Sequence, residues 1–98
     1  MPWTKQSIKL KSADQVDKMQ ASAEILASVF LEVRKLVRPG MTTGEMDRTI
    51  EAMIREAGCV PSFKGYHGFP ASACISVNEE VVHGIPGERE LVAGDIVG

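Results

Sequence analysis

Aromatic residues are scarce in this chain: three Phe, one Tyr and one Trp among 98 residues. A core built mainly on stacked rings is excluded, and any local gathering of aromatics stands out. Cysteine is also sparse. Two thiols, Cys59 and Cys74, make no disulfide framework, and their spacing fits no Cys-x-x-Cys redox or zinc motif. Both read as reduced, which points to a cytoplasmic setting. No apolar run approaches the roughly 18 residues of a membrane span. The opening Met-Pro-Trp-Thr-Lys-Gln-Ser lacks the apolar centre of a signal peptide. Charge of one sign is lacking too: 11 Lys and Arg against 13 Asp and Glu leave a net charge of −2. Neither nucleic acid nor a membrane is therefore expected as a partner. No Gly-x-x-x-x-Gly-Lys-Ser/Thr phosphate loop and no Gly-x-Ser-x-Gly nucleophile turn occurs.

What is present fits one small domain, residues 1–98, burying only about 65% of the surface of its unfolded chain. Ile8 and Leu10 alternate with Lys9 and Lys11 as in an extended lead-in. Ser12-Ala13-Asp14-Gln15 is a capping box: the hydroxyl accepts from the third backbone N–H and the Gln side chain reaches back. Val16, Met19, Ala23, Leu26, Phe30, Val33 and Val37 then recur at helical spacing and define one face. Arg38-Pro39-Gly40 ends that helix. Arg34, Lys35 and Arg38 at its end suit the helix dipole and need no anionic partner. A second box, Thr42-Thr43-Gly44-Glu45, opens a helix with the face Met46, Ile50, Met53, Ile54 and Ala57, stopped by Gly58. Both methionines read as core packing. After Gly58 the pattern turns to β: Ala73–Val77 and Val81–His83 predict two strands of a hairpin through Asn78-Glu79-Glu80. Gly84-Ile85-Pro86-Gly87 is turn chemistry, and Leu91-Val92 and Asp95-Ile96-Val97 begin a further β element. The class is α+β, two helices followed by antiparallel strands.

Candidate chemistry gathers between Phe63 and Pro86. Gly65-Tyr66-His67-Gly68-Phe69-Pro70 concentrates the few aromatics between glycines that let backbone pass close to a neighbour. It reads either as the wall of a pocket for an apolar side chain or as a loop folded back on the helices. His83 precedes the Gly-Ile-Pro turn at a strand end. Its imidazole can meet a substrate amide or carbonyl, or simply bond a backbone carbonyl. Cys74, among apolar strand neighbours, is no activated nucleophile. His67 and His83 have no helical i, i+4 relation and no carboxylate at a ligand-like offset, so no metal site is read from them. Asp95, between Gly94 and Ile96-Val97, reads as a turn residue and not as a third ligand.

Six blocks carry a resemblance: Lys18-Met19 with Arg38-Pro39-Gly40, Thr42–Asp47, Gly65–Pro70, Cys74–Glu79, Val82–Pro86 and Gly94–Val97. Their order and spacing resemble the N-terminal half of type I methionine aminopeptidases, a pita-bread fold of two similar halves around a curved antiparallel sheet. The resemblance implies removal of the initiator methionine from nascent proteins, with a Met-first peptide N-terminus as substrate and a ribosome-associated setting. Two divalent metal ions (Co, Mn, Fe or Zn) would activate a bridging water and polarise the scissile carbonyl. It also implies that His83 contacts substrate near the scissile bond. Tyr66, Phe69, Cys74 and Phe63 would line the methionine pocket, with His67 beside it.

The family's five metal ligands, two Asp, one His and two Glu, have no counterpart among these residues. The expectation is thus a single incomplete domain that binds no metal alone and is catalytically inactive alone. The alternative is a non-catalytic relative that uses the pocket to bind a peptide or protein. An open sheet edge further predicts self-association between copies.

Overall fold

A computed structural model describes residues 7–98. Helix α1 spans Ala13–Leu36 and helix α2 spans Thr43–Glu56, and a single 3-10 turn covers Tyr66–Gly68. The start of α1 is the capping box read from the sequence. The Gln15 N–H donates to Ser12 Oγ at 3.2 Å and the Ser12 N–H donates to Gln15 Oε1 at 2.9 Å. Val37 already has extended backbone, so the helix stops short of Arg38, where α conformation is disfavoured because Pro39 follows it. Thr42 caps α2 by accepting from the Glu45 N–H at 3.0 Å. The far end of α2 closes as a Schellman motif. Gly58 takes φ +81°, its N–H bonds the Arg55 carbonyl, and the Cys59 N–H bonds the Ile54 carbonyl.

The β expectation needs correction. Among the described residues no regular strand forms; two isolated antiparallel bridges stand instead, Thr42 with Glu90 and Val77 with Val97. The pairing also differs from the predicted hairpin. Asn78-Glu79-Glu80 does turn, with the Glu80 N–H on the Val77 carbonyl at 3.1 Å, but residues 81–83 do not run back along 73–77. The partner of that segment is the stretch at 96–98. Ser76 and Gly98 exchange N–H···O bonds of 2.8 Å each, and the Asn78 N–H donates to the Ile96 carbonyl. Asn78 at φ +54° redirects the chain. Its side chain accepts from the Ile96 N–H at 2.9 Å and donates to Asp95 at 2.9 Å, joining the turn to the more distant segment. Ile8 and Leu10 are irregular and exposed, not a strand.

A second ribbon clamps the α1–α2 connection. Gly40 and Met41 exchange bonds with Leu91, while Thr43 and Gly44 donate to the Arg89 and Gly87 carbonyls. This brings Leu91 beside Ile75 and Val77 to form the buried cluster, against which Val37, Met46, Ile50, Ala73 and Val97 pack. Met46 thus serves the core as the sequence indicated.

Helix α1 departs from its expected burial. Of its predicted face only Val33 is buried; Val29, outside that set, is the other buried residue. Val16, Met19, Leu26 and Phe30 are exposed, Phe30 to 69%. The helix projects from the rest, which accounts for a radius of gyration of 16.7 Å where a compact domain of this size has about 13 Å.

Candidate functional site

The site is built on α2. Asp47, buried one turn into the helix, accepts from the Ser72 N–H at 3.0 Å and the Ala73 N–H at 2.7 Å through the same Oδ1. One turn further, Glu51 accepts from Ser72 Oγ at 2.6 Å, Lys64 Nζ at 2.8 Å and Arg55 Nε at 2.9 Å. Bonds from Lys64, then Ser72 and Arg55, lower the Glu51 pKa to about 2. Residues 64 and 72–73 are thereby tied to one face of one helix.

Between those ties lies the aromatic loop. Pro61 is buried, and the chain then turns through Gly65 at φ +81°. The Gly65 N–H donates to the Phe69 carbonyl at 2.8 Å, which closes the loop on itself. The rings gather. Phe63 and Phe69 centroids are 4.8 Å apart, Phe63 and Tyr66 are 5.7 Å apart, and Tyr66 meets His67 edge-on at 4.3 Å. The loop therefore packs largely on itself, with Tyr66 still exposed.

His83 is aimed by its neighbour. Gly84 is buried against the 75–76 segment, where its N–H donates to Ser76 Oγ at 3.0 Å and its carbonyl accepts from the Ile75 N–H at 2.9 Å. A Cβ there would collide with the Ile75 carbonyl and lie 2.9 Å from Ser76 Cα. His83 itself holds φ +57°, and His67 holds φ +46°. Left-handed backbone is costly for a residue with a Cβ and persists where the surroundings enforce it, often at functional positions. Both histidines of the chain are in that state.

An open groove of about 930 Å³ joins part of this set. Val33, Val37, Met46 and Ile50 line it together with Phe63, Cys74 and His83. Tyr66, His67 and Phe69 do not line it; Tyr66 and Phe69 pack on Phe63, which does, and His67 packs on Tyr66. A more open hollow of about 590 Å³, lined by Arg38, Met41, Arg48 and Met53, holds none of the predicted site residues. Sequence reading passed over Asp47 and Glu51. Their signal was an i, i+4 acidic pair with no basic residue at the matching offset from Asp47, which leaves a carboxylate looking for a partner off the helix.

Metal fit is decided by what the acidic groups already do. Among the described residues no three His, Cys, Asp or Glu side chains converge. Asp95 accepts from the Val92 N–H at 2.8 Å and from Asn78; those bonds, the backbone one foremost, lower its pKa. Asp47 is filled by two backbone N–H groups. These residues do not fit a pair of divalent ions.

Residues 17–98 match the profile of metallopeptidase family M24. The chain belongs to that family. Among family relatives, the methionine aminopeptidase of Clostridium perfringens is 50% identical over 88 residues, 90% of this chain and 35% of the relative. That of Borreliella burgdorferi is 49% identical over 90 residues, 92% of this chain and 36% of the relative. The crystal structure of methionine aminopeptidase from Rickettsia prowazekii superposes with a TM-score of 0.89 at 33% identity, covering 93% of this chain and 37% of that one. The Thermotoga maritima methionine aminopeptidase gives 0.88 at 36% identity, with the same coverage. This M24 chain spans little more than a third of these relatives, and over that third it shares their fold.

Proposed function

We propose that this M24 chain is the substrate-gripping part of a methionine aminopeptidase, a single incomplete domain that works with further residues carrying the metal ligands. The observation that carries this is the joint lining of one apolar groove by Phe63, Cys74 and His83 in a chain whose relatives are methionine aminopeptidases. An unbranched thioether side chain suits such a lining, since it gains from dispersion contacts and from sulfur–aromatic contact. In this reading Tyr66, Phe69 and His67 extend the wall from the loop side. The segments at 75–78 and 96–98 belong to an antiparallel sheet of the pita-bread kind.

His83 has a definite task in it. Held by Gly84, its imidazole offers a hydrogen bond to the substrate amide or carbonyl as charge develops. In the assembled enzyme His83→Ala lowers kcat/KM by roughly 10²–10³-fold, the scale of losing one transition-state donor, with metal content unchanged. An unaltered rate assigns His83 to structure.

The reading as a whole is tested by complementation. Residues 1–98 release no methionine from a Met-Ala-Ser peptide alone, and release it when the remaining two thirds of a methionine aminopeptidase and cobalt or manganese are added. Hydrolysis by the purified chain alone sinks the proposed division of labour. The lack of a converging ligand set among the described residues favours one second reading, a non-catalytic peptide-binding module. Tight, saturable binding of the peptide, with no turnover upon complementation, selects it.

A further inference from the structure

The loop that carries the aromatic residues is fastened at both ends by two carboxylates of α2, and nothing in the proposed chemistry uses them. Asp47 and Glu51 are one helical turn apart and so share a face. Asp47 is buried, and both its backbone donors lie in the stretch that leads directly into Cys74. Glu51 spans the gap between the loop's two ends, taking Lys64 on one side and Ser72 on the other through the same Oε1. Ser72 is therefore held twice, by its N–H on Asp47 and by its hydroxyl on Glu51. The residues between, 65–71, contain two left-handed glycines and His67 at φ +46°, a backbone with little intrinsic preference for this course. Such a loop takes its shape from its ends.

We infer that Asp47 and Glu51 are positioning residues that hold the 63–74 loop as a preformed wall, with Asp47 setting Cys74 and Glu51 setting the separation of the loop ends. The inference deepens the proposed methionine-binding role of the same groove and rests on it for its consequence in selectivity. An ordered wall costs less to bind against than one that must be ordered by the ligand. Asp47 is the stronger of the two, because removing its carboxylate strands a buried Ser72 N–H that has no other acceptor, whereas Glu51 is reachable by water.

The test uses the whole chain and two kinds of readout. The first is the loop itself: amide hydrogen exchange at Ser72 and Ala73, and the ring-proton shifts of Phe63, Tyr66 and Phe69 by NMR. The second is affinity for two probes, the tripeptides Met-Ala-Ser and Leu-Ala-Ser. Asp47→Ala should speed exchange at Ser72 and Ala73 by about tenfold or more, the equivalent of one lost net hydrogen bond. It should shift the three rings and weaken Met-Ala-Ser by about tenfold while weakening Leu-Ala-Ser less. Asp47→Asn, which keeps an acceptor, should restore most of both effects. Glu51→Gln should move the rings and spare the Ala73 amide. Glu32→Gln, paired only with Lys35 on the exposed face of α1, should change neither readout.

Unchanged ring shifts and unchanged Ser72 exchange in folded Asp47→Ala, judged by retained helical circular dichroism, overturn the inference. Should Asp47→Ala not fold, unchanged ring shifts in folded Glu51→Gln overturn it. Loop shifts that move in the variants while the parent chain binds neither peptide support the fastening and sink the methionine reading instead.

Discussion

The two helices use the same devices and reach different ends. Both begin at hydroxyl caps, both end at a Pro or Gly signal, and both carry an apolar stripe. Helix α2 is shorter, yet it touches nearly everything else: the 87–90 ribbon through Thr43 and Gly44, the core through Met46 and Ile50, the loop through Asp47 and Glu51. Helix α1 is longer, and only its last two turns are covered. The difference lies in partners. A periodic stripe says which face of a helix wants cover; it does not say whether the cover is present. For α2 the cover comes from the sequence that follows. For most of α1 none of the described residues supplies it, although relatives are nearly three times as long.

That contrast can be broken most forcefully on the α2 side. Gly84→Ala places a methyl group into the Ile75 and Ser76 backbone, and neither can yield as a side-chain tip would. A loss of about 3 kcal/mol or more, at the upper end of overpacking effects, is expected. Urea unfolding followed by circular dichroism measures it. A loss below about 1 kcal/mol would mean that the 84–76 contact is easily remade and that His83 is not aimed by it. Next in size is Val77→Ala. Among the described residues Val77 is the one fully buried side chain, at 0% exposure, and deleting its methyls should cost about 2 kcal/mol in transfer and cavity terms. The matched change on α1, Leu26→Ala at 50% exposure, should cost less than half as much. Equal losses at the two sites would erase the distinction between the covered and uncovered helices.

Acid separates the helices in another way. Glu51 has its pKa lowered from 4.5 to about 2 by Lys64, Ser72 and Arg55. A carboxylate with a depressed folded pKa adds stability that is complete above the unfolded value. That contribution fades as pH falls from about 4.5 towards about 2. Stability measured across that window should therefore fall more steeply for the parent chain than for Glu51→Gln. Identical slopes would show the Glu51 bonds to be unimportant in solution.

Much of this was legible beforehand, for physical reasons that can be named. The caps at Ser12 and Thr42 and the stop at Gly58 are local chemistry, decided by residues within about one turn. They appeared where the sequence put them. The gathering of Phe63, Tyr66 and Phe69 was legible because rings are rare here and these three sit close together in a glycine-marked loop. The strand pairing was not. An apolar run after Asn78-Glu79-Glu80 looks like a hairpin arm, but Asn78 in left-handed conformation and its bonds to Asp95 and Ile96 choose the distant partner. Nothing within the local pattern carries a preference between near and far partners. Nor did it reveal Asp47, whose two backbone partners lie 25 and 26 residues away.

The smallest effect expected is also the cleanest statement about α1. Phe30 is 69% exposed, so within one copy of the chain its ring buries little. Phe30→Ser should then change the unfolding free energy by less than about 0.5 kcal/mol, the usual range for surface positions. Its effect should appear between copies instead. Uncovered Leu26, Phe30 and Leu31 line the α1 side of the groove as an apolar patch, and such patches promote association in proportion to the area they hide. Sedimentation velocity over a range of concentrations should show the parent chain forming dimers or larger species and Phe30→Ser shifting that equilibrium towards monomer. If the variant loses stability instead and its association is unchanged, the ring is part of an intramolecular core, and the contrast between the two helices disappears.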